Sequence, residues 1–295
     1  MKTFVRVAEI GSLSGASDVL RIAQPALSRQ IRLLEEEVGQ TLFIRSHAGM
    51  RLTPAGGDLL ARVAGLLRQL EQGLDEVRAF SHDPAGEVTI AMVPTVSAVV
   101  AEALVRRVER DLPQVRLRLI EGYTSHIIDW LHHREVDMAV IYGPASDLHL
   151  RARNVAADEL VLITPLGQGP GGQDPGTPAT LADLAGARLI LPGSQHGLRL
   201  VIDKAAERAG VRITATVEAS AFVTSLQLVA AGLGWTVLPG SIMAGFAADG
   251  RFGIRPFHPR LSRQVVLAEP PGPPATRAVG RVADILAEET ERMLG

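Results

Sequence analysis

Apolar residues recur every three or four positions through roughly the first eighty residues, and beyond that in alternation or in short runs separated by helical stretches. Phe4, Val7 and Ala8 share one helical face and Leu13, Ala16 and Leu20 the next, with Gly11 breaking between them. In "AQPALSRQIRLLEEEVGQ", residues 23–40, Leu27, Ile31, Leu34 and Val38 fall on one side of a helix. Pro25 is expected at its first helical position, where a missing N–H costs nothing, with Gln24 as N-cap. The other side carries Pro25, Ser28, Arg29, Arg32 and Glu36. The brief "RIA" joins this helix to the one before it, which is helix-turn-helix spacing. "QTLFIRSHAGMRLT", residues 40–53, reads as two short strands around "SHAG" with Arg45 and Arg51 at the base.

A long helix is expected from Pro54, capped by Thr53. Its apolar residues Leu60, Val63, Leu67, Leu70, Leu74 and Val77 are spaced 3, 4, 3, 4, 3, a heptad seam on an otherwise polar helix. Such a seam either pairs with the same helix of a second copy or packs on its own domain. "SHDPAGE", residues 81–87, has turn composition and marks a domain boundary. Strand and helix signals then alternate through "EVTIAMVP", a run from Ala98 to Arg110, "VRLRLIEG", "HIIDWLHH" and "DMAVIYG". They continue through "DELVLITP", "ARLILPG", "LRLVIDKAAERAG", "VRITATVE", "SLQLVAAGLG", "WTVLPG" and "RQVVLAE" to a last helix from about Ala275 to Leu294. This is an α/β pattern.

Composition narrows the classes. A chain of 295 residues with 46% apolar and 21% charged residues has the length for two domains and the means to bury a core. No apolar stretch reaches the roughly 18 residues of a membrane span, and "MKTFVRVAEIGSL" lacks the pattern of a signal peptide, so a cytoplasmic protein without membrane contact is expected. The absence of cysteine excludes disulfides, thiolate metal sites and a cysteine nucleophile. A net charge of -2 gives no support to nucleic-acid binding, which must rest on local arrangement. Within residues 1–60, Lys2, Arg6, Arg21, Arg29, Arg32, Arg45 and Arg51 stand against Glu9, Asp18, Glu35, Glu36, Glu37 and Asp58. The glutamates lie at the far end of the helix that Pro25 opens, and they are expected to point away from phosphate or to pair with Arg32.

No catalytic constellation emerges, and an enzyme is not expected. Gly167, Gly169 and Gly172 spell G-x-G-x-x-G, but Pro170 and Pro175 interrupt where a phosphate-binding helix would open, so residues 166–178 are taken as a surface loop. His126, His132 and His133 signal no third ligand of defined geometry, and Asp158 and Glu159 are expected to lack any partner that would tune a pKa. No cofactor and no metal are expected.

"GSLSGASDVLRIAQPALSRQIRLLEEEVGQTLFIRSHAGMRLTPAG", residues 11–56, closely resembles the winged helix-turn-helix of LysR-type transcriptional regulators. The likeness continues through the heptad helix, "VRLRLIEG", "DMAVIYG", "DELVLITP" and "LQLVAAGLGWTVLP". Met1 stands where the family's first helix is already under way, so either that helix is short or the start of the chain is misplaced. The resemblance implies a winged helix-turn-helix over 1–53, a linker and dimerisation helix over 54–84, and an effector-binding regulatory domain over 85–295 similar to periplasmic binding proteins. Its subdomain I would cover about 87–160 and 266–295, and subdomain II about 161–265. Gln24, Pro25, Ser28, Arg29 and Arg32 would meet bases and phosphates of double-stranded DNA, and Arg45, Arg51 and Thr53 would hold the backbone or reach a minor groove. Ligands of such folds sit at the carboxyl ends of strands, which places Thr95, Ser97, Thr124, Ser125, Ser194 and His196 around a cleft for a small polar or anionic effector. Ser and Thr at these turns also serve as N-caps with no ligand at all. The implied assembly is a homodimer through the linker helix and a homotetramer beyond it. Residues 87–295 alone also fit a solute-binding receptor, which the helix-turn-helix argues against.

Overall fold

The structure, a computed structural model, describes residues 1–46, 49–78, 84–147, 149–170, 177–246 and 250–295. It divides into two compact units, one over the N-terminal residues together with 132–136 and one over the remainder. Both halves of the expected plan, a helical N-terminal unit and an α/β unit, are present.

In the first unit α1 (Lys2–Ile10), α2 (Leu13–Leu20) and α3 (Gln24–Val38) precede a hairpin of β1 (Phe43–Ser46) and β2 (Gly49–Leu52), and α4 (Pro54–Arg78) follows. Ser12 starts α2 by accepting the Gly15 N–H at 3.1 Å. Arg21 ends it in the left-handed region at φ 53°. The Ser17 hydroxyl then donates to the Ile22 carbonyl at 2.7 Å and closes the turn. The Ala23 carbonyl accepts the Leu27 N–H at 3.1 Å, which makes Ala23 the N-cap and puts Gln24, expected there, inside the first turn. Leu27, Ile31 and Leu34 are buried as expected, whereas Val38 is 42% exposed because the helix there is running out past its core.

At the acidic end of α3, Glu36 and Glu37 are exposed and Glu35 has a structural role. Glu35 does not pair with Arg32: its Oε1 accepts the backbone N–H of Leu42 at 2.8 Å and of Phe43 at 3.2 Å. A carboxylate accepting two main-chain donors fixes the path from helix to strand. It also presents Phe43 to Phe4, whose ring centroids are 5.3 Å apart within the core of α1, α2 and α3.

Thr53 caps α4 by accepting the Gly56 N–H at 2.9 Å, and its own hydroxyl donates to the Thr41 carbonyl at 2.7 Å. A Cβ on Gly56 would stand 2.1 Å from the Leu42 carbonyl oxygen, so only glycine lets α4 pass so close to the hairpin. The heptad seam splits. Leu60, Val63 and Leu67 pack on the unit's own core, while Leu70 and Leu74 are 61% and 52% exposed, as is Leu66, outside the seam, at 56%. Leu70 and Leu74 share the helical face of Val63 and Leu67 but lie further along α4, outside the residues packed on that core. The Val77 side chain lies outside the described residues.

In the second unit β3 (Gly86–Met92), α5 (Pro94–Asp111), β4 (Val115–Glu121), α6 (Thr124–His132) and β5 (Met138–Tyr142) form parallel crossovers, with β3 between β4 and β5. β11 (Ser262–Glu269) joins antiparallel to β5, and the long β6 (Arg151–Pro165) joins antiparallel to β11 over its first nine residues. β6 then leaves this sheet and pairs over 160–165 with β9 (Thr236–Pro239) and β10 (Phe252–Pro256). β7 (Leu189–Leu191), α7 (Gly197–Arg208), β8 (Ala215–Glu218) and α8 (Phe222–Ala230) complete the second subdomain, and α9 (Arg277–Leu294) returns to the first. One strand therefore crosses between the subdomains, beginning seven residues before the expected "DELVLITP". The return comes at residues 257–261, where Leu160 N–H donates to the Leu261 carbonyl at 2.7 Å. Thus Ser262 to Val265, expected in subdomain II, pair with the first subdomain's strands. Of the G-x-G-x-x-G residues, Gly167 and Gly169 take positive φ after β6, and Gly172 lies outside the described residues.

Replacing Glu35 by Ala leaves two main-chain donors of the wing without their acceptor. The expected result is a loss of about 1–3 kcal/mol, read from urea unfolding of the full chain.

Candidate functional site

Two places on the chain gather chemistry, one in each unit. On α3, Gln24, Pro25, Arg29 and Arg32 are exposed and Ser28 is half-buried. At about 100° per residue they occupy an arc of roughly 140° that excludes the buried leucines. Neither Arg29, Arg32 nor Arg51 has a carboxylate partner among the described residues, and Gln24, relieved of the cap, keeps its amide unbonded. Glu36 and Glu37 are exposed at the opposite end of the helix. Arg45 lies in β1, its side chain outside the described residues, and Arg51 is exposed on β2. Thr53, expected at DNA, spends its hydroxyl on the Thr41 carbonyl and the start of α4.

In the second unit a buried polar cluster forms where β5, β6 and β11 meet α5. The Tyr142 hydroxyl donates to Asp158 Oδ2 at 3.0 Å and stands 3.0 Å from Thr95 Oγ1, which therefore donates to it. Asp158 Oδ2 also accepts the Ser241 hydroxyl at 2.9 Å, and Ser241 belongs to the 3₁₀ turn after β9. The Arg263 guanidinium lies 3.4 Å from the centroid of the Tyr142 ring, and Arg263 is the register partner of Asp158 across β11 and β6. Asp158 is 2% exposed and Arg263 6%.

Burial governs the protonation of all three groups. It drives the Tyr142 phenol far above its ordinary range, and it pulls Arg263 down against the raising influence of Tyr142 and Asp158. It also pushes the Asp158 carboxyl up, while Ser241, Tyr142 and Arg263 pull it back. The expectation that Asp158 lacks a tuning partner is thus corrected: its partners come from distant strands.

At the edge of this cluster His196 caps α7, its Nδ1 accepting the Leu198 N–H at 3.2 Å, which leaves the proton of the neutral ring on Nε2. Burial first, and the charge of Arg263 second, hold its pKa below the usual histidine value. The ring meets Tyr123 edge-on at a centroid distance of 5.3 Å. Since Tyr123 precedes α6 and His196 precedes α7, the two rings come from opposite subdomains.

Of the expected cleft residues, the structure joins Thr95 directly to the cluster and His196 to its edge. Thr95 and Ser97 stand in the first turn of α5, which opens at Pro94, four residues before the expected run, and Thr124 and Ser125 open α6. The side-chain hydroxyls of Ser97, Thr124, Ser125 and Ser194 make no hydrogen bond among the described residues. Tyr142, Ser241, Arg263 and Tyr123 went unseen in the sequence, and Asp158 was noted without its partners. Their one signal was a charged residue at an inward position of an otherwise apolar strand, Asp158 and Arg263 each opening such a run. Among the described residues no group of three or more His, Asp and Glu side chains is placed to hold a metal ion. No helix among them is long and apolar enough to cross a membrane.

Residues 81–291 match the family model described as the LysR substrate binding domain, and residues 1–57 match the bacterial regulatory helix-turn-helix protein of the lysR family. The chain belongs to the LysR family of transcriptional regulators. As such it is a DNA-binding regulator with an effector domain, and the helix-turn-helix match decides against a solute receptor. The nitrogen assimilation regulatory protein nac of Escherichia coli (strain K12) is 32% identical over 82% of this chain and 77% of its own. A "Probable hydrogen peroxide-inducible genes activator" of Streptomyces viridosporus is 30% identical over 91% of this chain and 86% of its own. Among solved structures, a full-length OxyR variant of Pseudomonas aeruginosa, with a cysteine replaced by aspartate, superposes at a TM-score of 0.75. It is 25% identical, over 98% of this chain and 92% of that one. This LysR-family regulator itself contains no cysteine.

Because burial raises the Asp158 carboxyl above its ordinary value of 3.8, the stability that goes with its neutral form is present below that value. It is lost as pH rises through the folded-state pKa. Asp158→Asn removes this titration. The melting temperature of the wild type relative to the variant is therefore expected to fall as pH is raised from about 4 to 7. A difference that stays flat across the range contradicts it.

Proposed function

We propose that this LysR-family regulator reads DNA with α3, Gln24, Pro25, Ser28, Arg29 and Arg32 meeting bases and phosphates of a major groove. Arg45 and Arg51 hold the backbone beside it, and Thr53 acts by fixing the wing to α4. The supporting observation is the exposed arc on α3, where two arginines without carboxylate partners share a surface with an unbonded glutamine amide. Guanidinium and amide groups are the side chains that discriminate base edges. The helix N-terminus beneath them favours phosphate. Exposed Glu36 and Glu37 point the arc in one direction, since only its N-terminal half is free of like charge to the phosphates.

The assembly is a homodimer formed by the stripe of Leu66, Leu70 and Leu74, with regulatory domains supplying the second contact of a homotetramer. Exposed leucines four residues apart on one helix need a partner to leave water. A metabolite entering the cleft at Thr95, Ser97, Thr124, Ser125, Ser194 and His196 changes how the regulator holds its DNA. Unbonded hydroxyls at the first turns of α5 and α6 supply donors for a polar or anionic molecule. The signal does not pass through thiol oxidation, because the chain has no thiol. The protein acts in the cytoplasm, where its DNA is, and carries out no catalytic step of its own.

Replacing Arg29 by Ala is expected to weaken binding to the regulator's own upstream DNA by about 1–3 kcal/mol and to leave binding to random DNA nearly as it was. Mobility shifts at matched salt measure both, and unchanged specific binding defeats the assignment. The double replacement of Leu70 and Leu74 by Glu is expected to lower the oligomeric state in sedimentation without loss of helical signal.

A further inference from the structure

The polar cluster contains one atom that the folded chain leaves unsatisfied. Arg263 is 94% buried, and its Nε–H meets no acceptor among the described residues. A buried donor without a partner is rare in native proteins. Nearby, Asp158 Oδ2 takes hydroxyls from Tyr142 and Ser241, and the Tyr142 oxygen takes the Thr95 hydroxyl. The neighbouring groups are donors as well. Thr95 lies in the first turn of α5, where Pro94 has no N–H and the Thr95 N–H makes no hydrogen bond among the described residues. His196, close enough for the Arg263 charge to lower its pKa, uses Nδ1 for its cap and has only Nε2–H to offer. An unsatisfied cationic donor, a helix N-terminus and an imidazole N–H call for an acceptor that carries negative charge.

We infer that the cleft of this regulator takes a carboxylate, and that Arg263 is the residue that selects its charge. This rests on the reading of the cleft as the effector site. Asp158 faces Arg263 in register and is the protein's own carboxylate on that cation. The ligand enters as a second anion, so Asp158 opposes it while Arg263 draws it in. The two residues therefore act in opposite directions on the same ligand. Asp158 also holds Ser241 of the second subdomain, so a carboxylate that draws on Arg263 bears on a contact between the two halves.

The test is thermal stabilisation of the full-length protein at neutral pH by acetate and benzoate, each against its uncharged amide. The acids are expected to raise the melting temperature of the wild type, and the amides to leave it unchanged. Arg263→Gln is expected to abolish the response, Arg263→Lys to retain a weakened one, and Asp158→Asn to strengthen it severalfold. Urea midpoints of the ligand-free variants establish that each is folded, and should Arg263→Gln fail to fold, the Asp158→Asn response decides. Amides that stabilise as well as the acids, in wild type and Arg263→Gln alike, overturn the charge assignment and leave the cleft an effector site. No response to any probe in wild type or Asp158→Asn overturns the inference and takes the support from the effector reading as well.

Discussion

A guanidinium taken out of water has to be balanced, and in the regulatory unit Arg263 sets that requirement. Its charge lies over the Tyr142 ring and opposite Asp158, whose carboxylate is in turn held by Tyr142 and Ser241. Removing one partner of such a group is costly, because the other stays buried with its charge uncompensated. The cluster therefore fixes more than its own atoms. It ties the first turn of α5, the end of β5, the crossing strand β6 and the turn after β9 to one another through four side chains.

The N-terminal unit depends on a comparable economy of polar groups. Ser12 and Ser17 shape the turn between α1 and α3, and Glu35 holds the start of β1, while Gln24, Arg29 and Arg32 on the exposed arc of α3 make no ion pair or side-chain hydrogen bond among the described residues. On the proposed reading, structural and recognition duties are divided between two ends of one helix. The three consecutive glutamates, which weaken any argument from net charge, divide as well. Glu35 belongs to the fold, and only Glu36 and Glu37 face solvent.

Much of the fold was legible because its signals are local. The boundaries of α2 and the cap of α4 follow from Ser12, Gly11, Thr53 and Pro54, each acting within a few residues. Thr95 and His196 were found by the same logic, as polar residues where strands give way to helices. Tyr142, Asp158, Ser241 and Arg263 were not, because their chemistry exists only through pairing. Asp158 is 16 residues from Tyr142 and 83 from Ser241 along the chain. Strand register, which no local pattern states, puts Arg263 opposite Asp158. The heptad seam shows a different limit. Spacing identified the right helix, but how far along it the unit's own core extends, which no repeat states, decided which leucines reach solvent.

β6 runs without interruption from one sheet into the other, and Asp158 stands two residues before the point, Leu160, where its partners change. For any change of angle between the two halves, this stretch is the fulcrum. Together with the return crossing at 257–261, it would move least in such a change, and the outer strands β4 and β8 most. A displacement too small to break a hydrogen bond at the fulcrum is magnified with distance from it, so a chemical event among a few buried atoms has leverage over surfaces that lie far from them.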